Sequence, residues 1–347
     1  MLREANMQPL TWADKTMSVL KERQLEACEN RLAQLPDFGL FSGCDDARVE
    51  TLWRCSYDAQ EHPVQARLHT TKQLQCQVML SLPMEAALLS VEEHLLLERL
   101  IVLDGRAELM DWEETRGAEG LVRRLWCTLE RRDEAIIVRL PRELLFPLTV
   151  ILASDEHAEL RERLLRFESA IRGLLYIGGL LHYAEPLEHL RRDVLQGSYA
   201  DQPQLAIRYL RNTFDYCYDS QGDMLLLHPG LAEPERMIAQ GMVMNHANFE
   251  LDEASLLGAM DGLLPEERAL FDRMFGLLYG AVRPEITEEE AVEDLRMLAK
   301  QGVSIEEMKE VLSSLLTVQP TPAMIDGVKQ LHRLTPRWGT MSAADMQ

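Results

Sequence analysis

The sequence predicts a mainly α-helical protein, in which an α+β region precedes an all-helical region. Leucine, arginine, glutamate, alanine and methionine, which all favour helices, are abundant among the 347 residues. Several segments begin with Ser or Thr and have Glu three residues later, a pattern that caps helix N-termini. The clearest cluster of β-branched residues is short, at residues 136–138, which favours small strands.

We place the domain boundary at Pro141, which ends the last strand predicted for the N-terminal part. Residues 1–141 then form the α+β region, within which residues 90–141 form a module of their own. Residues 142–347 form the all-helical region.

The first part of the chain is predicted to combine helices with short strands. A first helix covers residues 12–35, where apolar residues recur between charged ones. Residues 36–63 are rich in turn-forming glycine, proline and aspartate, which predicts a loop with one short strand at residues 49–57. Residues 73–82 alternate partly between apolar and polar side chains, the period-two pattern of a half-buried strand.

The module at residues 90–141 begins with a capping box at Ser90, and its first helix ends at Gly105. The predicted elements after it are a strand at 107–109, a short helix at 111–116, a longer helix at 119–129 and a strand at 134–140. With a hairpin turn at residues 131–133, this order resembles that of a winged-helix module. The resemblance lies in the element order alone and covers about 50 residues.

The region after Pro141 is predicted to consist of helices, with a short extended piece at residues 224–227. The longest helix covers residues 155–183, and shorter ones cover residues 186–195 and 203–218. Further helix starts are marked by a proline or by a capping box, at Pro265, Thr287, Ser304 and Thr321.

The charge argues against a general affinity for nucleic acid. With 36 basic and 57 acidic residues the chain has a net charge of −21, whereas phosphate-rich partners need a positive surface. Residues 116–142 are the exception, because they hold seven arginines and only four acidic residues. Arg123 and Arg124 on the predicted longer helix, and Arg131 and Arg132 at the hairpin turn, are therefore the candidates for contact with nucleic acid or an acidic partner.

His182, Glu185 and His189 are the candidate metal ligands. On one helix they would lie near a common face, and imidazole and carboxylate groups suit zinc or iron. Pro186 argues against this interpretation, because it is expected to break the helix between them. The alternative is that all three face solvent at a helix junction, and His246 is expected to join them only if the fold brings it close.

Motifs for nucleotide binding, serine hydrolysis and zinc proteolysis are absent from the sequence, which therefore predicts no cofactor. The leading prediction is a non-catalytic helical interaction or scaffold protein that binds another protein or a second copy of itself. A winged-helix regulator that binds nucleic acid through residues 116–142 is the first alternative. An enzyme whose site is assembled from distant residues, such as His182 and His189, is the second.

The chain is predicted to be a soluble cytoplasmic protein that does not bind membranes. Its N-terminus lacks the apolar core of a signal peptide, and its longest apolar runs are shorter than the roughly 18–20 residues that span a bilayer. None of the six cysteines shows the spacing of a redox or zinc motif, which indicates reduced thiols.

Overall fold

The computed structural model describes residues 11–41, 43–57, 59, 70–132, 135–195, 203–244, 259 and 262–338. In these residues the chain is mainly helical, as predicted, and its strands form small antiparallel sheets. The chain divides into two compact units. Unit 1 comprises Met1–Arg23, Glu168–Pro186 and Phe214–Gln347, and unit 2 comprises Gln24–Phe167 and Leu187–Thr213. The boundary predicted at Pro141 falls inside unit 2.

Helices make up most of the elements, which follow a 3-10 turn at Trp12–Lys15. The first half of the chain contains α1 (Met17–Ala33), α2 (Val49–Cys55), α3 (Thr71–Ala87), α4 (Val91–Val102), β1 (Arg106–Glu108), α5 (Trp112–Arg123), β2 (Thr128–Arg132), β3 (Ala135–Arg139), α6 (Arg142–Leu152) and α7 (Asp155–Gly178). The second half contains β4 (Leu180–His182), α8 (Ala184–His189), a π-helical turn (Leu190–Val194), α9 (Pro203–Thr213), β5 (Asp215–Tyr218), β6 (Met224–Leu227), α10 (Pro234–Ala239), α11 (Pro265–Leu278), α12 (Glu288–Lys300), α13 (Ile305–Leu315) and α14 (Pro322–Leu334).

Unit 2 is built around one apolar core, to which α1–α6 and the first sheet all contribute side chains. β1 and β2 each pair with β3 in the antiparallel sense, so the strand order is β1–β3–β2. Arg132 pairs with Ala135, which confirms the predicted hairpin, although residues 133 and 134 of its turn lie outside the described residues.

The prediction of a strand at residues 73–82 is wrong, because these residues lie in α3. Leu74, Val78 and Leu82 are buried at intervals of four residues, whereas Cys76 and Leu80 are exposed. An apolar residue at every second position satisfies the period of a strand and also the four-residue spacing of a helix. The capping box that Thr70 and Gln73 form at the start of α3 favours the helix.

The structure also corrects two other predictions for unit 2. The strand predicted at residues 49–57 is the helix α2, and the two helices predicted at 111–116 and 119–129 are the single helix α5 followed by β2. Gly117 lies inside α5, where a Cβ atom would come within 2.5 Å of the Glu92 carbonyl oxygen, so this glycine permits close packing against α4. Only one helix therefore separates β1 from β2 within the fully described residues 106–132, and the helix pair expected for a winged-helix module does not form.

Unit 1 contains a second sheet, so the prediction of an all-helical region after Pro141 is wrong in this respect. β4 and β5 each pair antiparallel with β6, giving the order β4–β6–β5. The helix predicted at residues 203–218 ends at Thr213, since β5 begins two residues later. A tight turn joins β5 to β6, with Gly222 at a φ of +87° that favours glycine.

The helix starts predicted for the last third of the chain are confirmed, at Pro265, Thr287, Ser304 and Thr321. At Thr287 and Ser304, as at Ser90 in unit 2, the cap side chain accepts from an amide three residues later, and the Glu there accepts from the cap amide. α12 and α13 bury their apolar stripes in a core shared with α11 and α14.

In the part of the chain that the structure describes, no single helix has both the length and the apolar character needed to cross a membrane. α3 and α4 meet that criterion only when they are joined, and the two are bent by 117°.

Candidate functional site

Arg124, which we predicted to contact phosphate, is instead part of the core of unit 2. Its side chain is 2% exposed, and its Nε lies 3.0 Å from a carboxylate oxygen of Glu93. It also pairs with Glu85 and donates to the carbonyl oxygen of Leu88 at 3.1 Å. Burial alone would lower the pKa of Arg124, but Glu93 and Glu85 raise it. This guanidinium joins α5 to α3 and α4, so it is not accessible to a partner.

The other three candidate arginines also have acceptors within unit 2. Arg123 lies 3.0 Å from Glu119, one turn earlier on α5. Arg131 donates to the carbonyl oxygen of Leu32, and Arg132 pairs with Glu130 on the same strand. Arg131 and Arg132 are exposed, so contact with nucleic acid stays a prediction for these two side chains.

The structure does not assemble His182, Glu185 and His189 into a metal site. His182 lies in β4, with its Nε2 3.8 Å from an oxygen of Asp223, whereas Glu185 and His189 belong to α8. The Nδ1 of His189 lies 2.7 Å from an oxygen of Asp193. No group of three His, Cys, Asp or Glu side chains that could hold a metal ion occurs among the described residues. The single helix that this ligand set requires does not form, because His182 ends β4 and α8 begins only at Ala184.

His246, the other histidine considered as a ligand, lies outside the described residues.

Unit 1 contains a buried charge cluster that the sequence pattern did not predict. The Nζ of Lys300 lies 3.1 Å from Glu267 and 4.0 Å from the ring centroid of Tyr176, whose hydroxyl donates to Glu267. Arg296 lies 3.7 Å from Glu267 and also pairs with Glu293. Burial lowers the pKa of Lys300 and raises the pKa of Tyr176.

The chemistry of this cluster is that of an internal ion-pair network. Two cations face two carboxylates, so the charges balance, and the Lys300 side chain has no exposed surface through which a substrate could reach it. The available signal was the i, i+4 spacing of Arg296 and Lys300 on the stripe that α12 buries.

Part of the solvent-exposed surface of unit 2 is apolar. Met79 and Leu80 on α3, and Phe146 and Val150 on α6, are large apolar side chains that the fold leaves exposed, and we call these four the neutral apolar face. Leu80 is 83% exposed and Phe146 is 75% exposed. α3 and α6 pack against each other, and the opposite side of each helix contributes leucines to the core.

The two helices also carry little charge. α3 has only Lys72 and the buried Glu85, and α6 has only Arg142 and Glu143 in its first turn. Charged residues make up 27% of the whole chain, so these helices differ clearly from the rest of it. Apolar area exposed in this way stabilises an association when a partner removes it from water.

Comparison of the chain with protein-family models, with curated proteins and with solved structures found no match.

Proposed function

We propose that this chain is a non-catalytic interaction protein that associates with a second copy of itself through the neutral apolar face of α3 and α6. The observation that carries the proposal is the group of large, exposed apolar side chains on two packed helices that bear almost no charge. A two-fold symmetric dimer brings the same surface of each copy together, and an apolar, uncharged surface is complementary to itself.

The net charge of −21 explains why the contact would form at this face. Two copies repel each other over most of their surface, but few like charges oppose each other where α3 and α6 meet their counterparts. Added salt screens the repulsion and leaves the apolar contact intact, so self-association should strengthen as salt is raised. Nucleic-acid binding has the opposite dependence, because salt weakens it steeply.

Sedimentation of the full chain tests the proposal, over a wide range of protein concentration and at low and high salt. We expect a dimer that becomes tighter at high salt, and we expect the double variant Leu80→Ser/Phe146→Ser to be monomeric. Tyr279→Ser/Val318→Ser is the matched control, because it removes two exposed apolar side chains from unit 1. A monomeric wild-type chain under all conditions, or a double variant that dimerises as well as the wild type, would overturn the proposal.

The nucleic-acid alternative has the weaker support, since only Arg131 and Arg132 of its four candidates are exposed and both already have acceptors. Titration of the chain with duplex DNA at low salt tests it directly. Binding that falls with salt and is lost in Arg131→Ala/Arg132→Ala would support this alternative, and an absence of binding would remove it.

We further propose a cytoplasmic location. All six cysteines are free thiols, the state that a reducing compartment maintains. Labelling of the thiols in freshly lysed cells, before any reductant is added, tests this proposal. Six reactive thiols per unfolded chain are expected, and a stable disulfide would contradict the location.

A further inference from the structure

Two tryptophans are among the residues that line a small slot in unit 1. Trp12 from the 3-10 turn and Trp338, which follows α14, line it together with the apolar side chains of Leu231, Met237 and Met242. The polar side chains that also line it are those of Glu233, Arg236, Gln240, Gln301 and Arg337, and Glu233 is neutralised by Lys15 at 2.6 Å. Its volume is about 150 Å³, the size of a cavity that holds a benzene ring. Tryptophan rings offer flat apolar faces, on which a planar ring of a ligand can stack.

The Trp338 wall of the slot is held rigidly. Its indole Nε1 donates to the carbonyl oxygen of Tyr176 at 2.8 Å, and its backbone amide donates to the carbonyl oxygen of Lys300 at 2.7 Å. The ring of His228 lies against it, with 5.1 Å between the ring centroids. Trp338 is therefore fixed before any ligand arrives, which lowers the entropy cost of binding.

A wider cleft of about 730 Å³ lies along the C-terminal half of α14. Lys329 and Arg333, four residues apart on this helix, line it and have no carboxylate partner among the described residues. Its one acidic side chain, Asp326, lies 3.9 Å from Arg273 and accepts a hydrogen bond from Gln330. The cleft is thus a positively charged site in a chain that is otherwise strongly acidic.

Arg337 lines both the slot and the cleft. Its Cδ would lie 3.8 Å from a Cβ atom on Gly302, a residue of the slot, so the stem of this arginine passes over the glycine. Its guanidinium lies 3.1 Å from the Nε2 of His332 in the cleft. Burial and the charge of Arg337 lower the pKa of His332, so the neutral ring can accept from the guanidinium.

We infer that unit 1 binds a small molecule that joins a planar ring to a phosphate, with the ring in the slot that Trp12 and Trp338 line and the phosphate at Arg337, Arg333 and Lys329. The slot is smaller than the roughly 300–1,000 Å³ of a drug-sized pocket, so it takes a ring and little more. Three cations match a phosphate, which carries more charge and more acceptor oxygens than a carboxylate. The inference goes beyond the proposed self-association and is independent of it, because all of these residues belong to unit 1.

Calorimetry and tryptophan fluorescence of the full chain test the inference, with phenyl phosphate, inorganic phosphate and benzoate as probes at constant ionic strength. Phenyl phosphate should bind most tightly and should quench the tryptophan fluorescence. Inorganic phosphate should compete with it but bind about tenfold more weakly, because it leaves the slot empty. Benzoate should also bind about tenfold more weakly, because it offers fewer charged acceptors.

Two single variants separate the two parts of the site. Arg337→Gln should weaken binding of both phosphate probes by about tenfold, whereas Trp12→Leu should weaken phenyl phosphate only. Lys329→Gln changes one exposed helical side chain and tests the cleft without endangering the fold. Arg283→Gln is the matched control, since Arg283 is an exposed arginine of unit 1 that lines neither cavity.

Absence of phenyl phosphate binding up to about 10 mM would overturn the inference. Equal affinity for phenyl phosphate and inorganic phosphate, or an equal loss in Arg283→Gln and Arg337→Gln, would overturn it as well. The unit 2 variant Leu80→Ser/Phe146→Ser should bind phenyl phosphate as the wild type does. A failure of the ligand site is therefore distinguishable from a failure of self-association.

Discussion

The helices α12 and α13 of unit 1 and the helices α3 and α6 of unit 2 are alike in sequence pattern and unlike in what they expose. Both pairs bury an apolar stripe in the core of their own unit. None of the large apolar side chains that the structure leaves exposed lies on the fully described α12 or α13, whereas four of them lie on α3 and α6. The apolar residues of α12 and α13 are accounted for by folding, and those of α3 and α6 exceed what the core needs.

The two units are alike in a second respect, because each buries a cation in its core. Arg124 in unit 2 and Lys300 in unit 1 are both buried against carboxylates, although arginine and lysine are usually surface residues. The two units differ in their exposed faces, but each contains a buried ion-pair cluster between helices. Substitution of one buried and one exposed residue of the same type tests this comparison.

The largest effect is expected for Arg124→Ala. Removing this guanidinium leaves the buried Glu93 without the arginine that neutralises it and leaves Glu85 with Arg208 alone, which should lower the free energy of unfolding by about 3–5 kcal/mol. Arg132→Ala removes an exposed arginine from the same sheet module and should cost about 0–1 kcal/mol. Denaturant unfolding of the two variants measures the difference, and equal small losses would show that Arg124 is a surface residue, as the sequence had predicted.

A similarly large loss is expected for Leu312→Ala in α13. Leu312 is fully buried in the core that α12, α13 and α14 share, so its truncation should cost about 2–5 kcal/mol through lost burial and the cavity left behind. Leu334→Ala removes the same group from an exposed position on α14 and should change stability by less than about 0.5 kcal/mol. Thermal or denaturant unfolding distinguishes them. If both losses were small, α13 would not be packed as described.

A smaller effect is expected from pH, and it should be greater in unit 2. His94 and His157 stack with 5.7 Å between their ring centroids, near Arg161 and Glu98, and burial is the main cause that lowers both pKa values to about 4. Their neutral forms contribute fully above about pH 6.5. Between pH 6.5 and 4 only the unfolded chain takes up these protons, so stability should fall by about 1–3 kcal/mol per histidine.

Unfolding measured across this pH range should show a shallower fall in His94→Gln/His157→Gln than in the wild type. Carboxylates titrate in both proteins, so the difference between the two curves isolates the histidines. In unit 1 burial lowers the pKa of His228 to about 3, and burial and Arg337 lower the pKa of the half-exposed His332 as well. His228→Gln should therefore remove less of the pH dependence than the double variant, and identical profiles for all three proteins would contradict the described burial.

The sequence predicted the helical class and most helix starts, because capping boxes and prolines act locally. The prediction was wrong for residues 73–82, because their apolar pattern fits the period of a strand and also that of a helix. Leu80 would lie on the buried face of a strand but lies on the outer face of a helix, and only the packing of α3 distinguishes the two. It also assigned Arg124 to a phosphate contact, because whether a charge is buried depends on Glu85 and Glu93, which lie far away in sequence. The exposed face and the tryptophan slot both combine distant segments, which periodicity does not detect.

The smallest effect on folding is expected for Leu80→Ser and Phe146→Ser. Both side chains are in water in the isolated chain, so each substitution should change the free energy of unfolding of the monomer by less than about 0.5 kcal/mol. Unfolding measured at low protein concentration, where the dimer is absent, gives this value. At high concentration the wild type should become more stable and the double variant should not, since association stabilises only a chain that associates.

This concentration dependence distinguishes two explanations for the exposed side chains of Leu80 and Phe146. If both residues belonged to an unfilled core, their replacement by serine would destabilise the monomer at every concentration. If they form the surface of a partner site, their replacement leaves the stability of the monomer unchanged and lowers only the stability of the dimer. A loss of about 2 kcal/mol or more in the monomer would place α3 and α6 in the same class as α12 and α13, and the contrast between the two helix pairs would disappear.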